Sequence, residues 1–130
     1  MASSFQRIFN LGFINVYTGT QPSTADMAPT GSLLATISNA GGGITLGEAA
    51  SGVISKASGE TWSGTVVLAG VAGWARLYAA GDDGALSTTE ERLDGAVAAS
   101  GSEFNFPNGV SWALSSVQVL TAFSITAPTA

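Results

Sequence analysis

Histidine and cysteine are both absent from this chain, so its chemistry rests on carboxylates, hydroxyls and four cations. Without histidine the commonest general base and the commonest transition-metal ligand are missing, and so is any Ser–His nucleophile. Without cysteine there is no thiolate nucleophile and no thiolate zinc site. What remains is carboxylate chemistry. Glycoside hydrolysis needs two carboxylates facing one cleft, and Glu60, Glu91, Asp94 and Glu103 are candidates by residue type. Glu60 and Glu103 fall at predicted turns, and Asp94 has a nearer use as an ion-pair partner for Arg76 or Arg92. Asp82-Asp83 and Glu90-Glu91 bracket one loop and offer hard oxygen atoms of the kind calcium takes, but without EF-hand spacing. A solvated acidic loop is the expectation there. Gly41-Gly42-Gly43 is not followed by the Lys-Ser/Thr of a phosphate loop. The sequence therefore predicts no catalytic residue, no metal site, no cofactor and no enzyme.

The densest pattern is Gly70-Val-Ala-Gly-Trp-Ala-Arg-Leu-Tyr78, followed by Glu91-Arg-Leu-Asp-Gly-Ala-Val97. Read as strands, the first puts Trp74, Arg76 and Tyr78 on one face and Ala75, Leu77 and Ala79 on the other. The second puts Arg92 and Asp94 on one face and Leu93 and Val97 on the opposite one. An arginine between two aromatics, beside a strand carrying an aspartate, predicts a cross-strand ion pair under a ring. Arg76 with Asp94 is the expected buried structural pair; on an open surface the same pair would contribute little.

These strands need others to hold them. Alternating or β-branched runs predict strands at 12–18, 32–38, 52–57, 61–69, 72–80, 91–99, 104–106 and 117–126, with 44–50 either a strand or a turn. About eight strands at roughly 8–12-residue spacing, with no helical pattern of useful length, predict an all-β fold: a single antiparallel β-sandwich or jelly-roll-like domain over 12–130. Strand order is not legible. Residues 1–11 read as an N-terminal arm or a short helical turn, because Phe5, Ile8 and Phe9 recur at i, i+3 and i+4.

Composition bounds the partners. The 130 residues suffice for one domain with a real core. Only 10% are charged against 45% hydrophobic, well below the quarter of charged residues usual in soluble domains. A surface of small polar groups and apolar atoms suits contact with other subunits. The net charge of −5 with four cations argues against nucleic acid and against an anionic membrane surface. No apolar run is long enough for a transmembrane helix, and no signal peptide is expected from the first residues. Trp62, Trp74 and Trp112 are the large anchors. Trp74 is expected to pack inside or along an interface, and Trp62, beside a glycine turn, to be exposed. Phe5, Phe9, Trp62 and Trp112 are the interface candidates.

Several motifs carry a resemblance. Val16-Tyr-Thr-Gly-Thr-Gln-Pro-Ser-Thr-Ala-Asp26, Pro29-Thr-Gly-Ser-Leu-Leu-Ala35, Gly59-Glu-Thr-Trp-Ser-Gly64, the Gly73-Trp-Ala-Arg76 and Arg92-Leu-Asp-Gly95 steps, Ala98-Ala-Ser-Gly-Ser-Glu103 and Phe123-Ser-Ile-Thr-Ala-Pro128 follow in order along the chain. Together they resemble a family of small tailed-bacteriophage virion structural proteins. Ala75 departs from the pattern, which more often has Phe there. The resemblance implies a virion structural role, assembled in the host cytoplasm and free of chemistry. A capsid decoration or cement protein fits best, with the major capsid protein or other virion proteins as partners and a homo-oligomer, a trimer by preference, as the assembled form. The alternatives are a tail or fibre component, or a carbohydrate-binding module that attaches to host glycans through Trp62 or Trp112.

Overall fold

Alternation of apolar and small polar residues settles the strands. The computed structural model describes residues 9–25, 27–39, 42–46, 53–56, 59–82, 92–99, 104–106, 109–120 and 122–126. Within them the strands are β1 (Phe13–Tyr17), β2 (Leu33–Asn39), β3 (Val53–Ser55), β4 (Trp62–Thr65), β5 (Gly70–Val71), β6 (Trp74–Tyr78), β7 (Arg92–Ala98), β8 (Phe104–Asn105), β9 (Ser111–Trp112), β10 (Val117–Leu120) and β11 (Ala122–Thr126). The described residues contain no helix. The fold is all-β, and all but one of the strand pairs are antiparallel.

Nine strands form one sheet in the order β10-β4-β2-β1-β6-β7-β8-β11-β3, and β5 pairs separately with β9. Adjacent strands lie about 4.8 Å apart, so β10 and β8 would be roughly 30 Å apart in a flat sheet. Such a sheet would leave its apolar face open to water. Instead Leu120 of β10, Trp62 of β4, Leu34 and Ile37 of β2, Ile14 and Val16 of β1, Leu77 of β6 and Phe104 of β8 are buried in one cluster. The sheet must therefore curl over and enclose that cluster, as a β-sandwich does.

The departures from the expected strands have local causes. The run expected at 61–69 stops at Thr65, because Val66 turns its N–H to Ser116 and its carbonyl to the Ser115 N–H, while the Val67 N–H bonds Leu34. Gly70 and Val71, expected as a break, pair with Trp112 and Ser111. The segment 117–126 is two strands, since its first half pairs with β4 and its second with β8 and β3. The one parallel pair, β7 with β8, spans only Val97↔Phe104 and Ala98↔Asn105. At the N-terminal side, Phe9 is buried in the core and the Leu11 N–H bonds the Ile44 carbonyl, so these residues of the expected arm are built into the fold.

Candidate functional site

The face of β1, β6 and β7 that points away from the core is the most chemically loaded part of the molecule. Register sets three rows across it: Phe13, Tyr78 and Arg92; then Asn15, Arg76 and Asp94; then Tyr17, Trp74 and Ala96. In the middle row the Arg76 guanidinium grips the Asp94 carboxylate with two bonds, Nε to Oδ1 at 2.5 Å and Nη2 to Oδ2 at 2.9 Å. The Arg76 side chain is 0% exposed. It lies against the rings of Trp74 and Tyr78, 5.1 and 6.0 Å from their centroids. Burial works against the charge on Arg76, but the Asp94 carboxylate outweighs it and raises the guanidinium pKa.

A second fork lies one row away. Arg92 Nε and Nη2 donate to Asp82 Oδ2 and Oδ1 at 2.7 and 2.8 Å, again with both side chains buried. Asp82 therefore does not belong to a solvated acidic loop: its charge is matched by Arg92. Asp83, Glu90 and Glu91 lie outside the described residues.

Both arginines also tie down one loop. Arg76 Nη1 donates to the Met27 carbonyl at 2.6 Å, and Arg92 Nη1 to the Ala25 carbonyl at 3.2 Å. The loop 18–32 leaves β1 and returns into β2. Its neck is closed by Thr18 N–H to the Ser32 carbonyl, Ser32 N–H to Thr18 Oγ1, and Thr30 Oγ1 to the Thr20 carbonyl. Gly31 is required there: its φ is +78°, and a Cβ would stand 2.0 Å from the Thr18 carbonyl oxygen. The loop is thus an Ω-like strap laid over a charged sheet face.

Aromatic stacking and hydroxyl bonds complete this layer. Phe13 stacks on Tyr78 and Tyr17 on Trp74, with centroids 4.9 and 4.6 Å apart. The Tyr17 and Tyr78 hydroxyls meet at 2.8 Å, and Asn15 links Tyr17 to the Thr36 hydroxyl. Burial first, and then the bond to Tyr17, push the Tyr78 phenol well above its ordinary pKa. Among the described residues, the Trp74 indole N–H is buried without a hydrogen-bond partner.

The sequence-predicted interface residues lie elsewhere, and inside. Trp62, expected exposed, is fully buried beside Leu120 because β4 turns it inward, and its indole N–H is satisfied by Glu60 Oε1 at 2.7 Å. Trp112 is buried edge-on against Phe106 and donates to the Gly109 carbonyl. Phe9 is buried as well, and Phe5 lies outside the described residues. Neither Trp62 nor Trp112 offers a free ring for a sugar to stack on.

Glu60 is likewise engaged. It accepts from Thr45 N–H, Thr45 Oγ1, Asn39 Nδ2 and Trp62 Nε1. Burial raises its pKa, but these bonds and nearby Lys56 win and leave it below the usual carboxylate value. A carboxylate holding four donors is poorly placed to act as a base. Asp94 is held by Arg76, and Glu103 lies outside the described residues. No three acidic residues gather into a metal-binding group among the described residues.

Two long runs of the chain, which include β4 and β10, carry no charge of their own. No residue from 61 to 75 or from 104 to 130 is ionisable as Asp, Glu, Lys or Arg. On these runs Val67, Leu68, Val71, Leu114 and Val117 are exposed, and so is Leu33 on β2. Sequence reasoning missed this surface because it looked to large aromatics. The available signal was the length of the two uncharged runs.

No family model, curated protein or solved structure matches the chain.

Proposed function

We propose that this protein is a non-enzymatic structural component of a tailed-bacteriophage particle, acting as a decoration or cement protein on the head lattice. The observation that carries this reading is where its reactive groups go. Arg76, Asp94, Arg92, Asp82 and Glu60 are each held by partners within the chain, while two uncharged runs present exposed aliphatic side chains. Such a molecule is equipped to be rigid and to make contacts.

The motif resemblance supports the same reading. Tyr17, Trp74, Arg76, Arg92 and Asp94, which belong to the phage-like motifs, come together in the strapped layer. Within it Arg76 and Arg92 fasten loop 18–32 to the sheet. The partner is the major capsid protein or another virion protein, and many weak copies of one contact on a repeating lattice would give stable attachment.

Cryo-electron microscopy of intact particles tests this. Many copies of the chain on the head lattice are the expected result. A few copies confined to the tail or a fibre would overturn the decoration role, and absence from the particle would overturn the virion reading.

A further inference from the structure

We propose that the protein pairs with a second copy of itself edge to edge, through β10, in an antiparallel two-fold contact flanked by Val67 and Leu114. The proposal names a partner within the structural role given above, but it is carried by the geometry of one strand.

β10 ends the nine-stranded sheet. It pairs with β4 in the register Val117↔Thr65, Gln118↔Gly64, Val119↔Ser63 and Leu120↔Trp62. The Val66 N–H bonds the Ser116 carbonyl, which marks that position as a hydrogen-bonding one. Antiparallel pairs alternate between bonding and non-bonding positions. Gln118 and Leu120 therefore bond β4 and turn their side chains into the protein, where both are buried. Val117 and Val119 turn their backbone N–H and carbonyl groups away from β4. No backbone partner meets them among the described residues. Val117 is 58% exposed.

A bulge stands at the entry of this edge, where Ser115 and Ser116 together face Val66, but among the described residues the strand beyond it carries none of the other usual protections. Proteins blunt an open edge with lysine, proline, a bulge or a cover. Residues 109–126 contain no charge and no proline. Beside the strand, the turn at 113–116 raises Leu114 into solvent, with Ser115 held at φ +68°, a conformation that non-glycine residues seldom adopt. Val67 is exposed on the neighbouring turn, which the Ser115 N–H to Val66 carbonyl bond joins to this one.

A second copy is the occupant that fits best. Two identical β10 strands laid antiparallel about Gln118 set Val117 of each opposite Val119 of the other. Those are the two residues whose backbone groups face outward, so each set of donors meets a set of acceptors. Such self-complementarity is what a two-fold interface requires. Charge agrees. Each chain carries −5, so two copies repel unless they meet where charge is absent, and both flanking runs are uncharged. A trimer on a three-fold axis would need a different, head-to-tail surface.

Sedimentation of the purified full chain across a concentration series tests the proposal. The wild type should sediment as a dimer. Val117→Lys sets two cations near the two-fold axis and should weaken self-association by at least roughly a hundredfold, with the melting temperature of the dilute protein unchanged. Val119→Pro removes only an outward N–H and should do the same; should it fail to fold, Val117→Lys decides. A monomeric wild type, a trimer, or a dimer indifferent to Val117→Lys would overturn the inference. Monomers found on the head lattice would sink this pairing and leave the decoration role standing. Dimers absent from particles would do the reverse.

Discussion

The strapped face of β1, β6 and β7 and the open edge at β10 are built on the same curled sheet but finished in opposite ways. On the strapped face the chain buries two arginine–carboxylate forks and covers them with its own loop. The edge strand and the turn before it carry no charge and present the exposed side chains of Leu114 and Val117. The contrast teaches where each kind of interaction is useful. A buried charge tolerates only partners fixed in advance, because an orphaned one is very costly. An uncharged edge can wait for a partner in water, since leaving it open costs comparatively little. Internal fastening is therefore polar here, and the open edge is apolar.

The largest effect should come from unpairing a fork. Arg76→Ala leaves Asp94 buried without its cation and frees the Met27 carbonyl, and should cost about 3–5 kcal/mol in urea unfolding. Replacing both partners, as Arg76→Met with Asp94→Leu, should recover most of that loss; failure to recover would mean the charges themselves, not the filled space, hold the strap. Asp82→Ala should come next, at about 3 kcal/mol, because Arg92 keeps the Ala25 carbonyl. Gly31→Ala strains the neck of the strap and should cost about 1–3 kcal/mol, with protease cutting within 18–32 rising more than global unfolding.

Two engaged groups should also show in the pH dependence of stability. The folded-state pKa of Tyr78 is raised, so its contribution is fully present below the unfolded value of about 10 and is lost as pH rises beyond it. Thermal melts should fall in alkali, and Tyr78→Phe should flatten that fall. The Glu60 pKa is lowered, so its contribution is present above about 4.3 and fades as pH drops through the folded value. Glu60→Gln should remove part of the acid-side loss. The smallest effect belongs to the edge: Val117→Lys should change monomer stability by less than about 0.5 kcal/mol. A large loss there would mean the edge is structural after all, and the contrast between the two regions would collapse.

Alternation alone determined the all-β class and sorted Trp74, Arg76 and Tyr78 onto one face and Ala75 and Leu77 onto the other, since side chains on a strand change face at every residue; which face turns to the core came only with the fold. Alternation also placed Arg92 and Asp94 on one face, which made the Arg76–Asp94 pair legible. What alternation cannot carry is pairing between distant segments. Trp62 was misjudged because its burial depends on β10 lying beside β4, more than fifty residues further along the chain. Asp82 was misjudged because its partner arrives only when β6 and β7 align Tyr78 with Arg92. The strap shows the same limit, since its carbonyls at Ala25 and Met27 say nothing of guanidinium groups until the loop folds back. The edge at β10 was decided by tertiary structure in the plainest way: a strand is an edge only by virtue of which neighbours it lacks, and that follows from the order of the whole sheet.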